Sequence, residues 1–74
     1  MSNMNKYKKV FMDTFDVSDE IVHDLKYQSI DEWDSVGHMN LIAVLEDEFN
    51  IEMDIDDITD FSSFAQGISI LEKY

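Results

Sequence analysis

The sequence predicts an all-α fold, a small bundle of three main helices plus one short helix in a single domain over residues 1–74. Apolar residues recur at helical spacing in separate segments along the chain. Proline is absent, so nothing breaks a helix from within, and no long β-branched run marks a buried strand. With 74 residues and two glycines there is room for one small core built from short-range contacts. With no cysteine, neither a disulfide nor a thiolate metal site can staple it, so apolar packing must hold the fold.

The first helix is expected over Asn3–Phe15, where Met4, Tyr7, Phe11 and Phe15 share one face, Val10 lies beside Phe11, and the lysines take the other side. Over residues 16–34 the pattern weakens to Val17, Ile21 and Leu25 after Ser18, an N-cap for one or two turns. A long, partly ordered loop is expected there, pinned to the core by Ile21, Leu25, Ile30 and Trp33. Loops of that length in a small domain usually have their own packing or frame a site. The strongest helix is expected over Ser35–Phe49, capped by Asp34, with Leu41, Leu45 and Phe49 in a stripe widened by Ile42 and a stop near Asn50. Ile51, Met53 and Ile55 then alternate with acidic residues in an extended stretch, followed by a short helix over residues 56–60. A last helix is expected to be capped by Ser62, with Phe64, Ile68 and Leu71 facing inward. Phe61 ahead of the cap forms half of a hydrophobic staple, and Gly67 weakens the helix.

Charge narrows the partners. Seventeen Asp and Glu oppose five Lys and Arg, a net charge of -12, and Lys6, Lys8, Lys9 and Lys26 all lie in the first part of the chain. A field of that sign repels nucleic-acid phosphates and acidic membranes and draws in proteins with basic docking patches, although acidity also serves solubility alone. No stretch approaches the length of apolar residues that a membrane span needs, and Met1 to Lys9 contains no apolar signal core, so a cytoplasmic monomer is expected.

On the second helix, about 100 degrees per residue places Val36, Met39 and Ala43 away from the buried stripe. Glu46 and Asp47 continue that surface, with Asn40 beside it, so the helix has a greasy and acidic outward face suited to docking. Methionine adapts its shape, which suits a surface that meets several partners. His38, one turn beyond Ser35, leans toward the buried side and is expected to make a structural hydrogen bond rather than act as a base. His23 reads as a surface residue. The acidic run at residues 54–60 lacks the glycine and ligand spacing of a calcium loop, so no metal is expected.

Asp34, Ser35 and Val36, with Leu41, Leu45 and Phe49 and the run of residues 45–49 after them, resemble the acyl carrier protein family, whose attachment motif is Asp-Ser-Leu or a close variant opening the second helix. The resemblance covers nearly the whole chain. It implies an acyl-carrier-like bundle and a covalent phosphopantetheine on Ser35, placed there from coenzyme A by a phosphopantetheinyl transferase with bound magnesium. Asp34 then helps engage that transferase besides capping the helix. No catalytic residue is implied, since cargo rides on the arm's thiol as a thioester. The further partners implied are an acyl-loading ligase or synthase and downstream transferases with basic patches. Glu32 and Trp33 stand where small residues usually precede the motif in fatty-acid carriers, and resemble carriers of peptide, polyketide or sugar-modifying pathways. Val36 replaces the usual Leu, and Gly37 follows it. The alternative class is an acidic non-covalent protein, a DNA-mimic inhibitor or a helical adaptor.

Overall fold

The stripe of Tyr7, Val10, Phe11 and Phe15 closes against the core as helix α1 (Asn3–Phe15) in the computed structural model, which describes residues 3–74. Met1 and Ser2, part of the N-terminal stretch read above as carrying no signal core, lie outside the described residues. Met4 departs from expectation. It is 43% exposed, lying along an open groove with Phe49, Ile51, Ile68 and Leu71 rather than inside the core. The chain continues through one 3-10 turn (Val22–Asp24), α2 (Ser35–Phe49), α3 (Ile55–Asp60) and α4 (Phe64–Leu71). The result is the expected all-α bundle of three main helices and a short one.

Helices α1 and α2 end alike. Asp16 and Asn50 take left-handed backbone at φ 54 and 55, and the next amide in each case reaches back five residues, from Val17 to Met12 O and from Ile51 to Glu46 O. This closure satisfies carbonyls that the helix end would otherwise strand, and Asp and Asn tolerate it better than most side chains.

The long loop is ordered by backbone bonds. Ser18 contributes its carbonyl, accepting from Ile21 N and Val22 N; it is not a side-chain cap, since the 3-10 turn has Ile21 in that place with no side-chain bond. The tight turn also shifts the inward residue by one. Val22 is fully buried while Ile21 is 46% exposed, contrary to the expected pinning by Ile21. Leu25 and Trp33 are buried, and Ile30 packs partly against the core. Beyond Leu25 the loop pairs with the approach to α4, Tyr27 N donating to Ser62 O at 2.8 Å and Phe64 N to Leu25 O at 2.9 Å.

That pairing corrects the last helix. Ser62 is exposed and spends its carbonyl on the loop; the cap is Ser63, whose Oγ accepts from Gln66 N at 2.9 Å. The inward set is accordingly Phe64, Gly67 and Ile70, with Ile68 and Leu71 half-buried. Gly67 is required for contact. A Cβ there would fall 2.2 Å from both Phe61 Cζ and Tyr7 Oη, so glycine admits the two rings that seat α4. Tyr7 Oη donates to Phe64 O at 2.7 Å, and burial pushes its phenol pKa up. Trp33 and Phe11 join the same aromatic core, edge to face at 5.5 Å, and Phe15 stacks on Trp33 at 5.2 Å.

Helix α3 begins one residue before the expected start, at Ile55. That residue is 77% exposed, so the apolar alternation stops at buried Met53. Asp57 is the buried carboxylate of α3, held by Lys73 Nζ and Tyr74 Oη from beyond α4. The lysine hydrogen bond, followed by the tyrosine one, keeps its pKa below the ordinary aspartate value.

Candidate functional site

Ser35 is the first residue of α2 and is exposed. Asp34 builds its position. With extended backbone, Asp34 Oδ1 accepts from Gly37 N at 2.8 Å and its carbonyl accepts from His38 N at 2.7 Å, the first bond of the helix. The chain reaches that cap by passing tightly over the first turn. A Cβ on Gly37 would lie 1.9 Å from Glu32 O, so glycine at 37 is the condition for this approach. The sequence marked Gly37 only as a departure from a familiar pattern; the backbone crossing is visible only in three dimensions.

Behind the serine stands a hydrogen-bonded stack. Trp33 Nε1, which can only donate, makes an N–H hydrogen bond to His38 Nδ1 at 3.0 Å. The neutral imidazole therefore carries its hydrogen on Nε2, which donates to Ile58 O at 2.9 Å. Both ring nitrogens are engaged between the loop and α3, so His38 ties these elements together and has no free nitrogen to offer Ser35. No buried side-chain nitrogen or oxygen among the described residues is left without a partner.

One residue of the site escaped the sequence reading. Tyr27 Oη lies 3.1 Å from Ser35 Oγ, with its ring edge-on to His38 at 5.4 Å and to Trp33 at 6.5 Å. Gln28, at φ 67, turns the chain so that its amide donates to Trp33 O at 2.9 Å, and this reversal brings Tyr27 back beside α2. The two residues are eight apart in an irregular loop, where no periodicity announces such a contact.

The outward face of α2 starts at the serine. Val36 is 69% and Met39 56% exposed, and Asn40, Ala43, Val44 and Asp47 are exposed as well. Val44 widens the strip beyond the expected set. Glu46 leaves it: half-buried, its Oε2 accepts from Met53 N at 2.9 Å and holds the chain between α2 and α3. Asp47 thus provides the strip's outward charge. At the opposite end of α2, about 21 Å along the axis by helical rise, an apolar groove of about 460 Å³ runs past Met4, Tyr7, Phe49, Ile51, Ile68 and Leu71.

Among the described residues, no group of three or more His, Asp or Glu side chains is placed to hold a metal ion. In the acidic run of α3, the Asp57 carboxylate is already taken by Lys73 and Tyr74. No helix is long and apolar enough to cross a membrane, among the described residues. Comparison with protein-family models, curated proteins and solved structures gives no match, so the functional reading rests on the residues of the site.

Proposed function

We propose that the chain is an acyl carrier protein, which holds an acyl or related group as a thioester on phosphopantetheine esterified to Ser35 and catalyses no reaction itself. The observation that carries this reading is the setting of Ser35: an exposed hydroxyl on the first turn of α2, at the root of that helix's outward apolar strip.

The residues present fit a phosphate ester. The amides of Ser35 and Val36 precede the first intrahelical bond, which starts at His38 N, and the positive end of the helix dipole favours an anion there. When attached, the arm supplies the thiol that this cysteine-free chain lacks. Asp34 and Gly37 fix the turn that presents the hydroxyl. Val36, Met39 and Ala43 offer a partner apolar contact near the serine, and Asp47 offers charge farther along. The proposed partners are a phosphopantetheinyl transferase, an acyl-loading ligase or synthase, and downstream transferases whose basic patches match the net charge of -12. The proposed place of action is the cytoplasm.

Co-expression with a broad-specificity transferase tests the reading. Intact mass rises by one arm for the parent and stays unchanged for Ser35→Ala, whose circular dichroism matches the parent. Losing this exposed hydroxyl costs about 1 kcal/mol, which leaves the fold in place. A loaded Ser35→Ala protein, or a parent that never loads, refutes the assignment. A non-covalent inhibitor or adaptor gains no mass at all.

A further inference from the structure

We propose that Tyr27 is a positioning residue for the arm on Ser35. Its hydroxyl holds Ser35 Oγ in the unloaded protein and, after loading, donates to the phosphodiester. The proposal rests on the carrier reading above and adds a residue that the attachment motif does not contain.

The geometry gives Tyr27 a fixed hydroxyl. Its amide is anchored on Ser62 O at 2.8 Å, its ring is half-buried against His38 and Trp33, and its Oη lies 3.1 Å from Ser35 Oγ. His38 and Trp33 are themselves locked by their mutual hydrogen bond at 3.0 Å and by Ile58 O at 2.9 Å. The phenol therefore stands on a rigid wall beside the serine.

Loading fixes the direction of the bond. In the unloaded protein either hydroxyl can donate. In transfer from coenzyme A, Ser35 Oγ bonds to the phosphorus of the pantetheine phosphate and the bond from that phosphorus to the bridging oxygen breaks. The nucleotide leaves with the electron pair, and the serine proton passes to solvent through the transferase. Ser35 Oγ is then an ester oxygen with no hydrogen, so only the Tyr27 O–H can donate, either to Oγ or to the anionic oxygens next to it. A hydrogen bond to an anionic oxygen is shorter and stronger than a neutral one. Residues 31–35 bring the carboxylates of Asp31, Glu32 and Asp34 and no cation, so a side-chain donor adds to the amides of Ser35 and Val36 in holding the anion.

Two consequences follow. Before loading, the held hydroxyl keeps one orientation for attack, which acts on kcat; docking through Val36 and Met39, and with it KM, is untouched. After loading, the root of the arm is held against the loop.

Tyr27→Phe tests this because it removes only the hydroxyl and retains the ring. With a broad-specificity transferase and coenzyme A, the variant should load with kcat lowered about three- to tenfold, the worth of one net hydrogen bond, at unchanged KM. Its thermal melt should stay cooperative and fall by no more than about 8 °C, the worth of about 1 kcal/mol in a domain of this size, and the phosphorus NMR resonance of the loaded variant should move from that of the loaded parent. Unchanged kcat together with an unchanged phosphorus resonance overturns the proposal. If Tyr27→Phe does not fold, the parent decides: with tyrosines labelled at 13Cζ, the Tyr27 resonance should shift on loading while those of Tyr7 and Tyr74 stay put, and an unmoved Tyr27 resonance overturns the proposal. Failure of the parent to gain the arm's mass sinks the carrier reading and this proposal together. A parent that loads while Tyr27→Phe behaves identically sinks only this one.

Discussion

Helices α1 and α2 divide their apolar residues differently. Below its first turn α1 turns Tyr7, Val10, Phe11 and Phe15 inward and leaves its exposed side to polar residues such as Asn5, Lys9 and Asp13. In α2, Leu41, Ile42 and Leu45 are buried while Val36, Met39, Ala43 and Val44 remain in solvent. The inward set is explained by folding; the outward set is less buried and contributes less to it, which is the condition for the docking role proposed above. A run of exposed apolar residues on one face is more informative than a scattered one.

The contrast breaks most sharply at Phe11. It is fully buried and packs against Tyr7, Phe15, Trp33, Phe61 and Phe64, so Phe11→Ala should cost about 3–5 kcal/mol, enough to unfold much of a marginally stable domain. Urea denaturation measures it. A midpoint equal to the parent's would mean that the aromatic cluster is not the centre of stability.

Next in size are the two glycines, which test core and site separately. Gly67→Ala drives a methyl into Phe61 and Tyr7 and should destabilise by about 1–3 kcal/mol, outweighing the gain of about 1 kcal/mol in helix propensity. Gly37→Ala meets the Glu32 carbonyl instead, so it should lower the melt and also displace the turn that presents Ser35, slowing arm attachment. A Gly37→Ala protein that loads at the parental rate would show that the close crossing is not what positions the serine.

The C-terminal clasp sharpens the comparison through pH. Asp57 is held below its ordinary pKa by Lys73 and Tyr74, so its contribution is complete above about pH 4 and fades as pH falls through the lowered value. Lys73 is held above its ordinary pKa by the Asp57 hydrogen bond, so its contribution is complete below about pH 10 and fades as pH rises through the raised value. The melting difference between the parent and Lys73→Met should therefore be flat across neutral pH and shrink toward both extremes. A difference that instead grows below about pH 4 would contradict the clasp.

The smallest effect on stability belongs to the outward face. Val36→Ser with Met39→Ser should change stability by no more than about 0.5 kcal/mol, yet raise the KM of the transferase. Asp47→Lys should weaken loading most at low salt, and Glu20→Lys is its control because Glu20 is exposed and lies off the helix. Asp19 would be a poor control, since it pairs with Lys8. Equal losses at Asp47 and Glu20 would reduce the effect to bulk charge.

The sequence by itself determined the helices whose signals are local. The periods of α1 and α2, the cap at Asp34 and the stop at Asn50 depend on residues within a turn or two, and the exposure of Ser35, Val36, Met39 and Ala43 follows from angle alone. Contacts between distant segments were decided only by the tertiary structure. The pairing of Tyr27 N with Ser62 O goes with a cap at Ser63 rather than Ser62 and with an inward set of Phe64, Gly67 and Ile70. The meeting of α2 with the chain after it turned Glu46 back onto Met53 N, although its wheel position pointed outward. The reversal at Gln28 set Tyr27 beside Ser35. Periodicity reports which way a side chain leaves its own helix, whereas these bonds depend on where a second segment happens to pass, and no local pattern encodes that position.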